Sequence, residues 1–156
     1  MPNLTVDSGE TMRVAYISFD AARRENSPLS HLEVRQAINH AINRQGMADN
    51  LVRGGSRPLY APCFPAQFGC ETQDVVEYAY DPDKARQLLA DAGYGDGFEL
   101  DLYAYRERDY AEAMIGDLRD IGIDVNLRFM TSPALLEQQR GGNTDMSFKT
   151  WGSYSV

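Results

Sequence analysis

Residues 98–130 read FELDLYAYRERDYAEAMIGDLRDIGIDVNLRFM, and their pattern changes from strand-like to helix-like and back. The pattern predicts a strand over Phe98–Tyr105, a helix over Glu107–Ile121 that ends at Gly122, and a second strand over Ile123–Met130. Consecutive strands joined by a helix favour parallel pairing with a right-handed crossover. This stretch therefore indicates an α/β fold.

The flanking residues extend the same pattern in both directions. A helix is expected over Pro133–Arg140 and a strand over Asp145–Trp151. On the N-terminal side, Thr11–Asp20 reads TMRVAYISFD. Most of its odd-numbered and most of its even-numbered positions are apolar, and these two sets point to opposite faces of a strand. The pattern therefore predicts a strand covered on both faces. The expected architecture is a sheet flanked by helices in a single domain, as the length of 156 residues allows.

Two helices are expected after the first strand. Ser30 and Glu33 have the spacing of a capping box, so a helix should begin there and run to about Asn43. A shorter helix is expected over Gln45–Val52, ending at the glycine pair Gly54-Gly55.

The third helix is marked at both ends. Asp81 is placed to cap it, Pro82 suits the first helical position, and Gly93 should end it. The segment Gly93-Tyr94-Gly95-Asp96-Gly97 is rich in glycine, but it follows a helix and precedes a strand, which is the reverse order of a phosphate loop. It is interpreted as a helix end followed by a turn.

The composition excludes several classes of function. The chain carries 15 basic and 23 acidic residues, a net charge of −8, which disfavours general binding to nucleic acid or to anionic membrane surfaces. No apolar stretch approaches the roughly 20 residues that cross a bilayer, and residues 1–7 lack the pattern of a signal peptide.

The cysteines and histidines give no sign of metal or catalytic chemistry. Cys63 and Cys70 are spaced for neither a zinc pair nor a redox motif, and His31 and His40 are not at metal-ligand spacing from them. Neither histidine accompanies a recognisable nucleophile, so both are expected on the surface or in helix packing. The spacing of the cysteines leaves a local disulfide and two free thiols equally open. They lie in Ser56–Tyr80, a long proline-containing segment without periodicity.

Candidate ligand contacts lie where two strands end. In open α/β sheets, ligands collect at the carboxyl ends of strands, and aromatic side chains offer large rigid contact surfaces there. The alternative is that these aromatic residues belong to the core or its rim. The candidate residues are Tyr103, Tyr105 and Arg106 after one strand, and Trp151, Gly152, Ser153 and Tyr154 after another.

Four segments in this order resemble the bacterial extracellular solute-binding proteins of family 5, the peptide-binding components of ABC importers. The segments are VRQAINHAINR at 34–44, YDPDKARQLLADAGY at 80–94 followed by Gly97-Phe98, LRDIGIDV at 118–125, and Asp145-Met146 through Trp151-Gly152. The resemblance covers about residues 12–154. It departs from the family at Tyr154, where several peptide binders have an aspartate that holds the ammonium group of the ligand.

The resemblance implies that residues 1–156 are one domain, most of the second lobe of a two-lobed periplasmic binding protein of type II-like fold. The first lobe and the C-terminal return would lie outside this sequence, and a signal peptide would lie upstream. The implied protein is not an enzyme and needs no cofactor or metal. It would bind a peptide or another small solute in the periplasm and deliver it to ABC permease subunits, and the periplasmic setting favours a Cys63–Cys70 disulfide.

Two other functions remain open on the residues alone. One is a small α/β hydrolase-like enzyme, which would need a nucleophile and base that the sequence does not reveal. The other is a protein–protein interaction module, since a lobe without its partner would expose an apolar surface.

Overall fold

The computed structural model describes residues 5, 11–22, 27–52 and 55–152. In chain order its strands are β1 (Arg13–Phe19), β2 (Phe98–Ala104), β3 (Ile123–Phe129) and β4 (Met146–Gly152). Its helices are α1 (Leu32–Ala41), α2 (Arg44–Asn50), α3 (Pro82–Asp91), α4 (Arg108–Asp120) and α5 (Ser132–Arg140), and a short 3-10 helix at Pro28–Ser30 precedes α1. Gly54, expected to end α2, lies outside the described residues.

The four strands form one mixed sheet in the order β1-β4-β2-β3. β2 is parallel to both β3 and β4, which confirms the expected parallel arrangement of these three strands and the α/β class. β1 is instead an edge strand, antiparallel to β4. The expectation that it is covered on both faces is wrong, because Val14 is its one buried residue.

The main core lies between one face of the sheet and helix α4. Leu100, Leu102 and Ala104 alternate along β2 towards this face, and α4 contributes an apolar stripe at helical spacing. Helices α1 and α3 pack against each other and extend the same core. Helix α5 contacts the opposite face, where Gln139 Nε2 donates to Ser147 Oγ at 2.7 Å. Helices therefore flank the sheet on both sides.

The expected capping box at Ser30 is wrong. Ser30 belongs to the 3-10 helix, and its hydroxyl donates to the carbonyl of Ser27 at 2.7 Å. His31 occupies the N-cap of α1 without a side-chain hydrogen bond, and the helix ends at Ala41 rather than Asn43. Asn43 caps α2 instead, accepting from the amide of Gly46 at 2.8 Å.

The ends of α3 agree with the sequence. Asp81 Oδ1 accepts from the amide of Lys84 at 2.9 Å, and Pro82 is the first helical residue. Gly93 follows the C-cap with φ of +84°, a conformation that glycine adopts without steric penalty. The glycine-rich segment is therefore a helix end and a turn, as interpreted.

The segment between α2 and α3 contains the Cys63–Cys70 disulfide. Phe64, inside the bridged loop, is buried, and the guanidinium of Arg57 lies 5.7 Å from the centroid of its ring. Phe68, in the same loop, is 99% exposed. The disulfide thus closes a small loop with one anchored and one exposed aromatic ring.

Both histidines are engaged in packing. The ring of His40 stacks edge-on with Tyr78, and its Nδ1 lies 2.8 Å from the carbonyl oxygen of Ala79. The ring of His31 makes a similar edge contact with Tyr94. These contacts agree with the expected role of the two residues in helix packing.

Candidate functional site

The ends of β2 and β4 are staggered. The last residue of β2, Ala104, is level with Phe148, and β4 continues for four further residues to Gly152. Along this extension β4 pairs with the beginning of β1, where Trp151 lies opposite Val14 and Gly152 opposite Arg13. The chain that leaves β2 therefore passes beside the projecting end of β4.

Three side chains converge on the hydroxyl of Thr150 in this extension. Arg13 Nη1 donates to Thr150 Oγ1 at 3.1 Å and Arg106 Nη1 donates to it at 3.4 Å. The phenolic oxygen of Tyr105 lies 3.5 Å from the same atom. We call Arg13, Tyr105, Arg106 and Thr150 the Thr150 cluster. It brings two guanidinium groups together in a chain whose net charge is −8.

Glu107 is the immediate neighbour of this cluster. Its Oε1 accepts from Arg106 Nε at 2.6 Å, and its backbone has φ of 45° and ψ of 60°, in the left-handed region. Its other carboxylate oxygen is buried and, in the described part of the chain, has no hydrogen-bond partner. Glu107 also precedes α4 at its N-cap without a side-chain capping bond.

Contacts at the Thr150 cluster and with its neighbour Glu107 shift the pKa values of Tyr105 and Arg106. The hydrogen bond from Thr150, with smaller contributions from Arg106, lowers the pKa of Tyr105 against the opposing effect of desolvation. Desolvation acts to lower the pKa of Arg106, but the hydrogen bond and charge of Glu107 outweigh it and raise that pKa. Arg106 therefore remains a fixed positive charge.

Tyr103 is held in a different group of side chains. Its hydroxyl donates to Asp101 Oδ2 at 3.4 Å, and Arg128 Nε donates to the same oxygen at 3.0 Å. Desolvation, together with the carboxylates of Asp101 and Asp145, raises the pKa of Tyr103. In register, Tyr103 lies beside Ser147, so Trp151 is four residues, or about 13 Å, further along the sheet.

The other candidate residues have varied positions. Trp151 is 52% exposed at the projecting end of β4. A Cβ atom added to Gly152 would meet only the guanidinium of Arg13, at ordinary van der Waals distance. Ser153 and Tyr154 lie outside the described residues. The structure thus brings Tyr105 and Arg106 together at Thr150 of β4, whereas Tyr103 is bonded to Asp101. Trp151, the next residue in β4, alternates to the other face of the strand from Thr150.

Sequence reasoning missed Arg13, Thr150 and Glu107. Thr150 directly precedes the candidate residues 151–154, and this adjacency is visible in the sequence. Arg13 reaches the cluster only through the antiparallel pairing of β1 with β4, which no local pattern reveals. The sequence pattern marks Glu107 only as the start of a helix, although it adjoins a candidate residue.

A separate small cavity of about 230 Å³ lies near the start of β4 and the end of α5. Its lining includes Ser18 and Ser147, whose hydroxyls are 2.8 Å apart, and Gln139. Because these polar groups are hydrogen-bonded to one another, we place the candidate site at the Thr150 cluster, where charged donors converge.

In the described ranges, no group of three or more His, Cys, Asp or Glu side chains could hold a metal ion. No helix in those ranges has the length and apolar character needed to cross a membrane.

A family model for bacterial extracellular solute-binding proteins, family 5 middle region, matches residues 1–156. Among curated relatives, heme-binding protein A of Haemophilus influenzae is 30% identical over 133 residues, covering 80% of this chain and 24% of the relative. Di/tripeptide-binding protein 1 of Pseudomonas aeruginosa is 29% identical over 158 residues, covering 96% of this chain and 29% of the relative. The chain thus spans less than a third of the length of these relatives.

Solved structures give the same result. The periplasmic binding protein DppA of Helicobacter pylori, in complex with the peptide STSA, superposes with a TM-score of 0.84 at 29% identity, over 99% of this chain and 30% of that one. A dipeptide-binding protein of a Pseudoalteromonas species, in complex with Met-Leu, has a TM-score of 0.82 at 25% identity, over 96% of this chain and 30% of that one.

Proposed function

The chain belongs to the bacterial extracellular solute-binding proteins of family 5, and we propose that it forms part of the ligand-binding second lobe of a receptor for an ABC importer. In this proposal the complete protein works in the periplasm, encloses a small solute between two lobes and docks on permease subunits when closed. The lobe has no catalytic role. The names of relatives that bind dipeptides, heme and nickel support a transport function without selecting one solute.

The observation that carries the proposal is the Thr150 cluster. Two arginine side chains and a tyrosine hydroxyl meet at Thr150 in the projecting end of β4. The half-exposed Trp151 follows in the same strand, and its side chain alternates to the opposite face of the sheet. Guanidinium groups suit planar carboxylates, and a desolvated charged hydrogen bond contributes about 1.5–3 kcal/mol. The aromatic ring would cover apolar ligand surface. We propose Tyr103, Tyr105, Arg106 and residues 151–154 as the ligand-facing set, with Arg13 and Thr150 added.

The proposed ligand is a peptide or a related solute that carries a carboxylate. Tyr154 occupies the position where several peptide binders use an aspartate for the ammonium group. We therefore propose that the amine of the ligand is absent or is held by the other lobe. An isolated lobe should bind weakly, because half of the enclosing surface is missing.

The test uses the complete receptor and isothermal titration calorimetry with the dipeptide Met-Leu, glutathione and a nickel complex. We expect one of these solutes to bind, and we expect Trp151→Ala to weaken its binding by about 2 kcal/mol or more, as for a buried aromatic anchor. Leu136→Ala removes an exposed apolar side chain from α5 and serves as the matched control. Unchanged affinity in a folded Trp151→Ala variant would remove Trp151 from the site.

A further inference from the structure

Glu107 combines three features that each disfavour its presence. It is a non-glycine residue in the left-handed backbone region, one of two among the described residues. One oxygen of its carboxylate is buried and has no hydrogen-bond partner among the residues that the structure describes. It also occupies a helix N-cap, where Ser, Thr, Asp, Asn and Gly are preferred, without making a capping bond. Left-handed geometry at a large side chain and an unsatisfied buried oxygen both destabilise a fold.

Within the described part of the chain, the side chain of Glu107 makes one ion pair, with Arg106. Its Oε1 accepts from Arg106 Nε at 2.6 Å, and the two side chains are 24% and 39% exposed, respectively. Neighbouring side chains in a helix or strand point in different directions, and this ion pair between adjacent residues lies where the chain is in neither element. The left-handed conformation at Glu107 accompanies this pairing.

The consequence for Arg106 is a fixed guanidinium. Of its five N–H donors, Nε is held by Glu107 and one hydrogen of Nη1 by Thr150, so the plane is set from two sides. A guanidinium fixed before binding loses less conformational freedom when it contacts a carboxylate.

We propose that Glu107 is a positioning residue, whose strained backbone and ion pair hold the Arg106 guanidinium ready for a carboxylate of the ligand. The inference rests on the proposed function, because it concerns the same arginine. Strain that persists at a binding site is characteristic of such a role. If Glu107 were purely structural, replacing it would lower the stability of the fold. If it is a positioning residue, its replacement by glycine should not lower stability, so the two roles can be distinguished.

The experiment compares Glu107→Gly and Glu107→Gln in the complete receptor. Glycine accepts the left-handed conformation and suits the N-cap, so the unfolding midpoint should stay unchanged or rise. The affinity for Met-Leu should fall at least tenfold in Glu107→Gly, whereas the affinity for Met-Leu amide should change little. Glu107→Gln keeps an acceptor for Arg106 Nε. In this variant the ratio of the affinity for Met-Leu to the affinity for Met-Leu amide should stay close to that of the unsubstituted receptor.

Two controls separate strain from positioning. Among the described residues, Asp74 is the other non-glycine residue with a left-handed backbone, so Asp74→Gly relieves strain away from the Thr150 cluster. Glu112 accepts from Arg108 on the same helix, so Glu112→Gln alters an ion pair without touching Arg106. Neither should change the ratio of the two affinities.

A second measurement needs no peptide. In nitrogen-15 spectra of the ligand-free receptor, the Arg106 Nε–H signal should be protected from exchange, persist in Glu107→Gln and be lost in Glu107→Gly. A lower unfolding midpoint with an unchanged affinity ratio, or an unchanged signal in Glu107→Gly, would overturn the inference. If the unsubstituted receptor binds no Met-Leu, the dipeptide assignment fails, and the Nε–H signal alone then decides the role of Glu107.

Discussion

Asp117 is a half-buried carboxylate whose ionisation affects stability. Its Oδ2 accepts from the amide of Asn43 at 2.9 Å and so joins α4 to the start of α2. Desolvation raises its pKa, the bond from Asn43 opposes this effect, and nearby Asp120 adds to the increase. Because the folded-state pKa exceeds the unfolded one, the folded protein binds more protons between the two values. The contribution of Asp117 to stability is therefore fully present at lower pH and falls as pH rises through this interval.

We expect Asp117→Asn to raise the free energy of unfolding at pH 7, because an amide oxygen can still accept from Asn43 and carries no charge to desolvate. The advantage should vanish near pH 3, about one unit below the ordinary aspartate pKa, where the native side chain is protonated. Asp117→Ala should instead lower the unfolding free energy by about 1 kcal/mol through loss of the hydrogen bond. Urea unfolding at both pH values measures these differences, and a pH-independent effect of Asp117→Asn would contradict the argument.

The role of a single residue could be predicted from sequence where the neighbouring residues allow only one local conformation. Asp81 caps α3 as expected, because Pro82 after it leaves few alternatives. Ser30 has the spacing of a capping box, but in the 3-10 helix before α1 its hydroxyl donates to the carbonyl of Ser27 instead of accepting from the amide of Glu33.

At the scale of elements, β2 and β3 begin side by side after two glycines. Gly97 and Gly122 precede the paired residues Phe98 and Ile123, and both have positive φ. A Cβ at Gly97 would clash with the carbonyl oxygen of Gly122, whereas a Cβ at Gly122 would lie 3.8 Å from Gly97 Cα. The close approach of the two backbones therefore depends on Gly97 more than on Gly122.

We expect Gly97→Ala to lower the free energy of unfolding by about 2–4 kcal/mol, since it combines positive-φ strain with a backbone clash that must displace one strand. Gly122→Ala should cost about 1 kcal/mol, because it has strain without a clash. Chemical denaturation of both variants gives the comparison. Equal losses would show that backbone strain dominates and that the approach at Gly97 is unimportant.

The positions of the strands and helices could be predicted from the periodicity of the sequence, but the pairing of the strands could not. The strand and helix boundaries between Phe98 and Gly152 lie within one or two residues of those expected, because alternating and helical spacing dominate there. The pairing of β1 was not predictable. Arg13 and Gly152 are opposite each other although 139 positions separate them, and the apolar character of β1 wrongly suggested a strand covered on both faces.

For the whole molecule, the Cys63–Cys70 bridge is expected to stabilise a segment with little regular structure. The chain-entropy model gives about 2.5 kcal/mol for a loop this short. Cys63→Ser combined with Cys70→Ser should lower the unfolding free energy by about that amount, and a reducing agent should have the same effect on the unsubstituted protein. Mass measurement after alkylation without reduction should detect no free thiol in exported protein. Two alkylated cysteines in such material would contradict the bridge.

The candidate site was predictable only in part. Tyr105 and Arg106 were found because they follow a strand that ends at the expected edge. Tyr103 differs because its backbone is still in the strand, where alternation directs its side chain towards Asp101 and Arg128. The contribution of Arg13 depends on long-range pairing, and that of Glu107 on a backbone conformation that its residue type disfavours.

The stagger between β2 and β4 has a mechanical consequence. Over its last four residues β4 is bonded to β1 and, in the described ranges, to no strand on its other side. Two-stranded ribbons twist more strongly than wide sheets and resist bending less. Thr150 and Trp151 therefore lie on a two-stranded antiparallel arm formed by β4 and β1. Tyr105 and Arg106 instead follow β2, which is paired on both sides within the sheet. Small tilts of this arm would widen or narrow the gap between the two groups, and amide hydrogen exchange should be faster at 149–152 than at 146–148.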